Sequence, residues 1–536
     1  MIEQEKLKFY LSKATEEKDA IKPIYNKILE LTDPFSIIKD EGKLEINSSN
    51  RTVDSDILDA ISSLVSFIMS SILPRTGRWA DLAVDEGKMK EMFGDRAQQN
   101  IDQINSVLKD DIDTTFRYIQ NSNYYEEIVK AMKSYVRVGT GCYAIRETGI
   151  PSKPFVYQYV GLDNLFILND NFSNPNIVFK KHPDINGDYL KDVFGKDIEM
   201  PNGVDEENLN SNITVYECVI PDYDEESTLT TYNYMVLTED LTEILLEKQL
   251  EYNPFVVFRW DTIEGSSWGS SAVIEQIGLL EELQEYQDLY KAQAKRIANP
   301  PGIFYGNVEL FNSLSMEDGT LNYGGDPKLE NNGSGFYSNL QTIGNNGSLM
   351  PLDKLIQDCR DRFKSALMVK HLTMSIEDVK YGTATAVAIM NDLFRKRFSN
   401  TYEMINNELV NPTFLSPFII LLKYNQLSLT TEVLPYTNVI YVSELSKANN
   451  MSDINKVMQY TQYVAQLKQA QSFGIALNLP KSIAYISNKL EIPPDLVPTE
   501  SELQDIQEYE QQVRQMQMQQ QAIATQEGEV NAENEQ

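Results

Sequence analysis

Apolar residues recur at three- and four-residue spacing through much of the first 147 positions. In "ILDAISSLVSFIMSSIL" (57–73), Ile57, Ile61, Leu64, Ile68 and Ile72 form one stripe, with Asp59 and serines opposite. That predicts an amphipathic helix buried along one side, not a membrane span. Helices are also predicted in "KATEEKDAIKPIYNKILELTD", "NIDQINSVLKDDIDTTFRYIQ" and "YYEEIVKAMKSYVRVGTGCYAI". "LPRTGRWADLAV" reads as a turn into a short strand. Between 150 and 262 the pattern changes to short β-branched and aromatic runs: "PFVYQYV", "NLFIL", "ITVYECVI", "TTYNYMVL", "TEILLEK" and "PFVVFRW". Turn residues separate them, as in an antiparallel meander.

Two strong helices follow. In 270–299, Val273, Ile277, Leu280, Leu283, Tyr290, Ala294 and Ile297 make one stripe, with acids early and Lys291, Lys295 and Arg296 late, which suits the helix dipole. "NPP" at 299–301 ends this helix. A second begins at Pro351, "LDKLIQDCRDRFKSALMVKHL". At about 1.5 Å per residue the pair would run roughly 40 Å and 30 Å. Between them, 17 of residues 300–350 are Gly or Asn, so a small turn-rich insert is expected there. A pair this long has too little core of its own. It must pack on the rest of the chain or on a neighbouring copy. Beyond the break "TMSIEDVKYGT" (373–383), helices are predicted over 384–423, 451–472 and 481–489, with an extended stretch at 433–446. A final helix opens at Thr499 and Glu502, which have capping-box spacing. The end, "TQEGEVNAENEQ", is too polar to fold.

Charge and cysteine usage narrow the picture. The chain has 536 residues, 79 acidic against 47 basic, a net charge of −32. That disfavours a dedicated nucleic-acid grip but suits a surface that DNA passes without sticking. Cys142, Cys218 and Cys359 form no CxxC pair, so neither a disulfide framework nor a zinc site is indicated, and a reducing compartment is expected. The first 30 residues lack the long apolar segment of a secretory signal.

Residues 265–269, "GSSWG", fit G-x-S-x-G, the pattern that holds a nucleophilic serine. A catalytic Ser267 needs a histidine and an acid. Only His182 and His371 exist. His182 precedes the serine, and His371 ends the second long helix, where a cation is expected anyway. The antiparallel surroundings also differ from a hydrolase sheet. The favoured reading is a small-residue strand-to-helix turn with an N-cap; a serine hydrolase using Ser267 and His371 is the alternative. No phosphate-binding loop or metal-ligand cluster is present in the pattern, and no cofactor is implied. Basic clusters at "RKR" (395–397) and at Lys291, Lys295 and Arg296 are read as solvated faces, or as contacts to phosphate or to the acidic surface of a second copy.

The ordered set of these segments resembles the phage portal proteins, head-to-tail connectors of short-tailed phages. The resemblance lies in "FIMSSILPRTGRWADL", "VRVGTGCYAI", "FRWDTIEGSSWGSSAVIEQIGLLEELQEYQ" and "YGTATAVAIM", and covers about residues 50–470. The chain departs from it at Ala386, where many relatives carry a glutamate after "TAT". The resemblance implies an α+β portal-type fold. Its parts would be an α/β wing (1–271, with a return at 384–450), an antiparallel stem helix pair (272–299 and 351–372) and a small α/β clip (300–350). A tunnel loop (373–383), a helical crown (451–498) and a C-terminal barrel helix with an acidic tail (499–536) would complete it. It further implies a non-enzymatic ring, typically of twelve copies, in the virion at the portal vertex and assembled in the host cytoplasm. Double-stranded DNA would pass through it non-specifically. The terminase large subunit would dock at the clip, followed by tail adaptor proteins, with scaffold and major capsid protein as further partners and no membrane. Lys380, Tyr381 and Gly382 would then belong to a channel loop. The stripes carrying Leu280 and Phe363 are expected to face neighbouring subunits.

Overall fold

A computed structural model describes residues 4–33, 53–75, 77–84, 97–195, 197–201, 212–223, 230–300, 302–304, 320–323, 340–342, 348–369, 399–429 and 437–441, with four further positions between 459 and 466. Met1–Ser443 forms one compact unit and Glu444–Gln536 a second. In the second, Gln459, Gln462, Tyr463 and Gln466 are helical and exposed, within the predicted helix 451–472. The predicted final helix and the 373–383 segment lie outside the described residues.

The first unit opens with α1 (Gln4–Thr32) and α2 (Ser55–Ile72). Asp54 caps α2: its carboxylate accepts the Asp56 N–H at 2.9 Å. By composition α2 could cross a membrane. Its stripe instead lies inside the main core, with Ile57, Ile61, Leu64, Ile68 and Ile72 all buried. Strand β1 (Ala80–Val84), α3 (Ala97–Asn121) and α4 (Tyr124–Val138) follow. Trp79 sits at the centre of this region, edge-on to Phe116 at 5.1 Å and Phe414 at 6.2 Å.

Next come β2 (Thr140–Ile150), β3 (Lys153–Tyr159), β4 (Leu165–Leu168), β5 (Ile177–Ile185), α5 (Gly187–Phe194), β6 (Ile213–Asp222), β7 (Thr231–Thr238), β8 (Ile244–Leu250) and β9 (Phe255–Arg259). The predicted single meander is two antiparallel sheets. One is a true meander, β4-β5-β6-β7-β8; the other has order β3-β2-β9. The split follows from β2, which pairs locally with β3 and, across the whole meander, with β9. The five-stranded sheet is apolar on both faces. Val178, Val215, Val219, Tyr234 and Val236 join the main core, whereas the alternating Phe179, Cys218, Met235 and Leu237 join a second cluster capped by Leu7 and Ala14 of α1.

The hairpin β10 (Asp261–Thr262) and β11 (Gly269–Ser270) leads through a 3₁₀ turn, Ile274–Gln276, to α6 (Ile277–Ala298). Three short strands, β12 (Gly302–Phe304), β13 (Leu321–Tyr323) and β14 (Leu340–Thr342), form a small mixed sheet with β12 parallel to β13 and antiparallel to β14. Helix α7 (Met350–Ala366) then packs on α6. It stops short of the predicted end: Met368 takes a left-handed φ of 58°, which breaks the helical ladder. The chain returns through α8 (Ser399–Met404), a π-helical turn (Ile405–Val410), α9 (Asn411–Lys423) and β15 (Thr437–Tyr441), which pairs with β1.

Candidate functional site

The root of the helix pair is fixed at two places. The first is the turn into α6. Gly139 ends α4 in a left-handed conformation, φ 81°. Its backbone lies against the β11 hairpin so closely that a Cβ at Gly139 would overlap the Ser270 carbonyl, and one at Gly269 would overlap the Gly139 carbonyl oxygen. Hydrogen bonds fasten this contact. The Gly269 N–H donates to the Thr140 hydroxyl at 2.9 Å, and the Tyr25 hydroxyl donates to the Gly269 carbonyl at 2.5 Å. Ser271 donates to the Arg137 carbonyl at 2.8 Å and accepts the Ile274 N–H at 3.1 Å, capping the 3₁₀ turn.

The second is the start of α2. Asp54, the α2 cap, accepts from Arg360 of α7 at 2.9 Å and from Gln287 of α6. Asp56 receives Lys364 at 2.5 Å and Arg360 at 3.2 Å. Lys364 lowers the Asp56 carboxyl from its ordinary value. One helix end therefore holds α7 through ion pairs, whose acids also suit its dipole, and α6 through the Gln287 hydrogen bond.

Farther from the root, large apolar side chains stand exposed on both helices. On α6 the buried side chains are Leu279, Leu280 and Leu283, and on α7 they are Ile356, Cys359 and Phe363. Farther out, Leu289 is 48% exposed, Ile297 44%, Leu355 42% and Met350 76%. Between α1 and α6 runs a cleft of about 540 Å³ with Lys27, Glu30, Leu31, Glu281, Glu285, Asp288 and Leu289 in its walls.

A model of the family described as bacteriophage head to tail connecting protein matches residues 4–497. The chain belongs to that family. Two solved structures were also matched. One is the virion of a native gene transfer agent (GTA) particle, at 12% identity over 81% of this chain and 99% of that chain, TM-score 0.29. The other is the neck of an empty GTA particle, at 11% identity over 82% and 91%, TM-score 0.32. No curated protein matched.

In this connector the residues singled out from sequence fall differently than expected. Leu280 and Phe363 are 3% and 0% exposed within a single chain and belong to its own core. Within the chain, α6 and α7 bury that stripe between themselves, with α6 also packed on α1 and α7 on α2. "GSSWG" forms the loop of the β10–β11 hairpin rather than a direct strand-to-helix turn, and Ser271, one of the four serines expected to make the turn and its cap, is the one that caps the 3₁₀ turn. Ser267 is buried; its hydroxyl accepts the Asn169 N–H at 2.8 Å and its own N–H reaches Glu17 at 2.7 Å. That is a structural role, tying α1 and the β4–β5 loop to the hairpin. His182 is occupied elsewhere, with Nε2 2.9 Å from Glu217. His371, Lys380, Tyr381 and Gly382 lie outside the described residues. Among the described residues no group of His, Cys, Asp and Glu could hold a metal.

Two buried ion pairs join elements far apart in the sequence. Arg259 of β9, 2% exposed, donates to Glu408 of the π-helical turn at 2.5 Å, and also to Asn169 and Ser173. Glu217 of β6 is fully buried and accepts two bonds from Arg146 of β2, at 2.5 and 2.7 Å, and one from Tyr234 at 2.8 Å. This pair joins the two sheets. Burial alone would raise the Glu217 carboxyl; Arg146 and His182 overcome it and hold the group well below the usual carboxylate range. No local sequence signal marks either partner, because each lies 71 or more positions from the other.

Proposed function

We propose that this connector is a portal protein of the short-tailed phage type. Twelve copies would form a closed ring at one capsid vertex, through which double-stranded DNA is packaged and later ejected. The family match over residues 4–497 carries this reading. The helix pair supports it: its root is fixed within the chain, while its outer half bears apolar side chains that a single chain leaves bare. The protein acts by assembly, without catalysis, in a virion put together in the host cytoplasm.

The parts keep the boundaries given above: wing, stem, clip, tunnel loop, crown and barrel helix. The clip at 300–350 would dock the terminase large subunit and later the tail adaptors, while scaffold and major capsid protein would meet the ring's outside. The 373–383 loop, with Lys380, Tyr381 and Gly382, would touch DNA in the channel. Negative-stain electron microscopy of the purified full chain tests the class. Closed rings with a central hole are expected; monomers or open filaments alone would overturn it.

A further inference from the structure

We infer that α5 is an acid-released flap over the buried cluster of Arg146, Glu217 and His182, freed by one proton taken up at His182. The inference concerns the single chain and does not depend on the ring.

His182 of β5 is 7% exposed, and the strand register sets its surroundings. Val178, Lys180 and His182 share one face of β5, with Lys180 opposite Glu217 and His182 opposite Val215 on β6. Glu217 accepts four hydrogen bonds: two from Arg146, one from Tyr234 and one from Nε2 of His182. That fills the capacity of a carboxylate, about four lone-pair sites. Because an ionised carboxylate only accepts, the proton of neutral His182 sits on Nε2. Its Nδ1 has no partner among the described residues.

A second proton on this ring enters an unfavourable place. Arg146 of β2 and Lys180 of β5 already stand as cations near it, with the single carboxylate of Glu217 between them. On α5 itself Asp188 and Asp192 are exposed and Lys191 is half-buried. Burial acts most strongly on His182, and with Lys180 and Arg146 it holds the ring below its ordinary 6.5 against the pull of Glu217.

What covers the ring is α5. Phe194 packs edge-on to His182, ring centres 5.3 Å apart, and lies 5.8 Å from the Arg146 guanidinium. Only Gly187, Leu190 and Phe194 of this helix are buried, and a helix of eight residues does not hold in water by itself. Lifting it exposes two large apolar side chains, Leu190 and Phe194, and leaves the ladder of the sheet intact. The His182 ring then meets the water it needs to carry charge. The open form binds a proton that the closed form refuses, so opening becomes more favourable as pH falls below 6.5. One proton gives at most about a tenfold gain per pH unit.

Amide hydrogen exchange on the full chain, read by mass spectrometry at pH 7.0 and 5.5 with labelling times scaled for intrinsic exchange, tests this. The peptide over 187–195 is expected to exchange several-fold faster at pH 5.5, up to about tenfold, while β6, β7 and β8 keep their protection. His182→Gln keeps a donor for Glu217 and is expected to abolish the difference. Hydrogen exchange at the His182 ring carbon, followed in the unaltered chain from pH 5 to 8, is expected to titrate below 6.5. Equal protection of 187–195 at both pH values overturns the inference, as does a pH effect that survives in His182→Gln. Equal quickening of β6, β7 and β8 overturns it too, since the sheet then loosens as a whole. A ring-carbon midpoint at or above 6.5 overturns it without recourse to a variant.

Discussion

Gly139 and Gly269 stand where two backbones touch. Alanine at Gly139 must displace the Ser270 backbone and also adopt a left-handed φ. Overpacking of this kind costs about 1–3 kcal/mol, and the φ adds about 1–2. Gly265 shares the left-handed φ, 75°, but faces open space. Thermal melts should therefore show a much larger loss for Gly139→Ala than for Gly265→Ala; equal losses would mean the close packing is not limiting. Glu217 and His182 set the acid response of the sheets. Burial lowers His182 from its ordinary 6.5, partly opposed by Glu217. The unfolded chain then takes up a proton that the folded chain refuses, so stability falls as pH drops below about 6.5. Glu217 is depressed from 4.5, and its stabilisation is lost only below that value, as pH falls toward the folded one. His182→Gln keeps a donor for Glu217 and removes the titration. It should flatten the melting temperature between pH 6.5 and 5 while leaving the steeper fall below 4.5. An unchanged slope in the upper window would assign that loss to other groups.

At the scale of elements, the helix pair depends on the first turn of α2. Asp54→Ala removes the cap and the acceptor for Arg360 and Gln287 at once. Loss of a cap alone costs about 0.5–2 kcal/mol. Hydrogen exchange should quicken in the first turn of α2 and along α6 and α7, with β4–β8 unaffected; uniform protection would show that the apolar root suffices. Much of this architecture was legible from periodicity. The α2 stripe, the runs that became β3, β4 and β6 to β9, and the two long helices all announced themselves. Strand β5 did not, because "KKH" interrupts its apolar run; His182 is held by Glu217 of β6 and Lys181 by Glu239 after β7. Helix α5 was hidden behind "INGD", which reads as a turn but supplies the cap: Asn186 accepts the Tyr189 N–H at 2.8 Å. The stripe through Leu280 and Phe363 was visible, yet periodicity reveals only that a face is buried, not against what. Asp54 and Arg360 lie 306 positions apart, and only the fold brings them together.

At the scale of the whole molecule, charge governs what the connector can hold. Each chain carries −32, and the proposed ring would multiply that. Duplex DNA is held non-specifically through Lys and Arg contacts to phosphate, each adding salt-dependent affinity. A surface dominated by carboxylates repels the duplex over distances up to the Debye length, about 10 Å at 0.1 M salt. Among the described residues, several cations that could oppose this are engaged within the chain. Arg146, Arg259 and Arg360 all pair with carboxylates, and Lys364 pairs with Asp56. The expected behaviour is therefore weak, transient contact. A labelled 30-base-pair duplex titrated with the purified protein should show no saturable binding below roughly 1 μM at 0.1 M salt, where non-specific binders typically have dissociation constants of 10⁻⁴–10⁻⁶ M. Fluorescence polarisation over a salt series makes the measurement. Sub-micromolar affinity with a steep salt slope would mean that several cations line up on one surface, and would count against the proposed channel through which DNA slides.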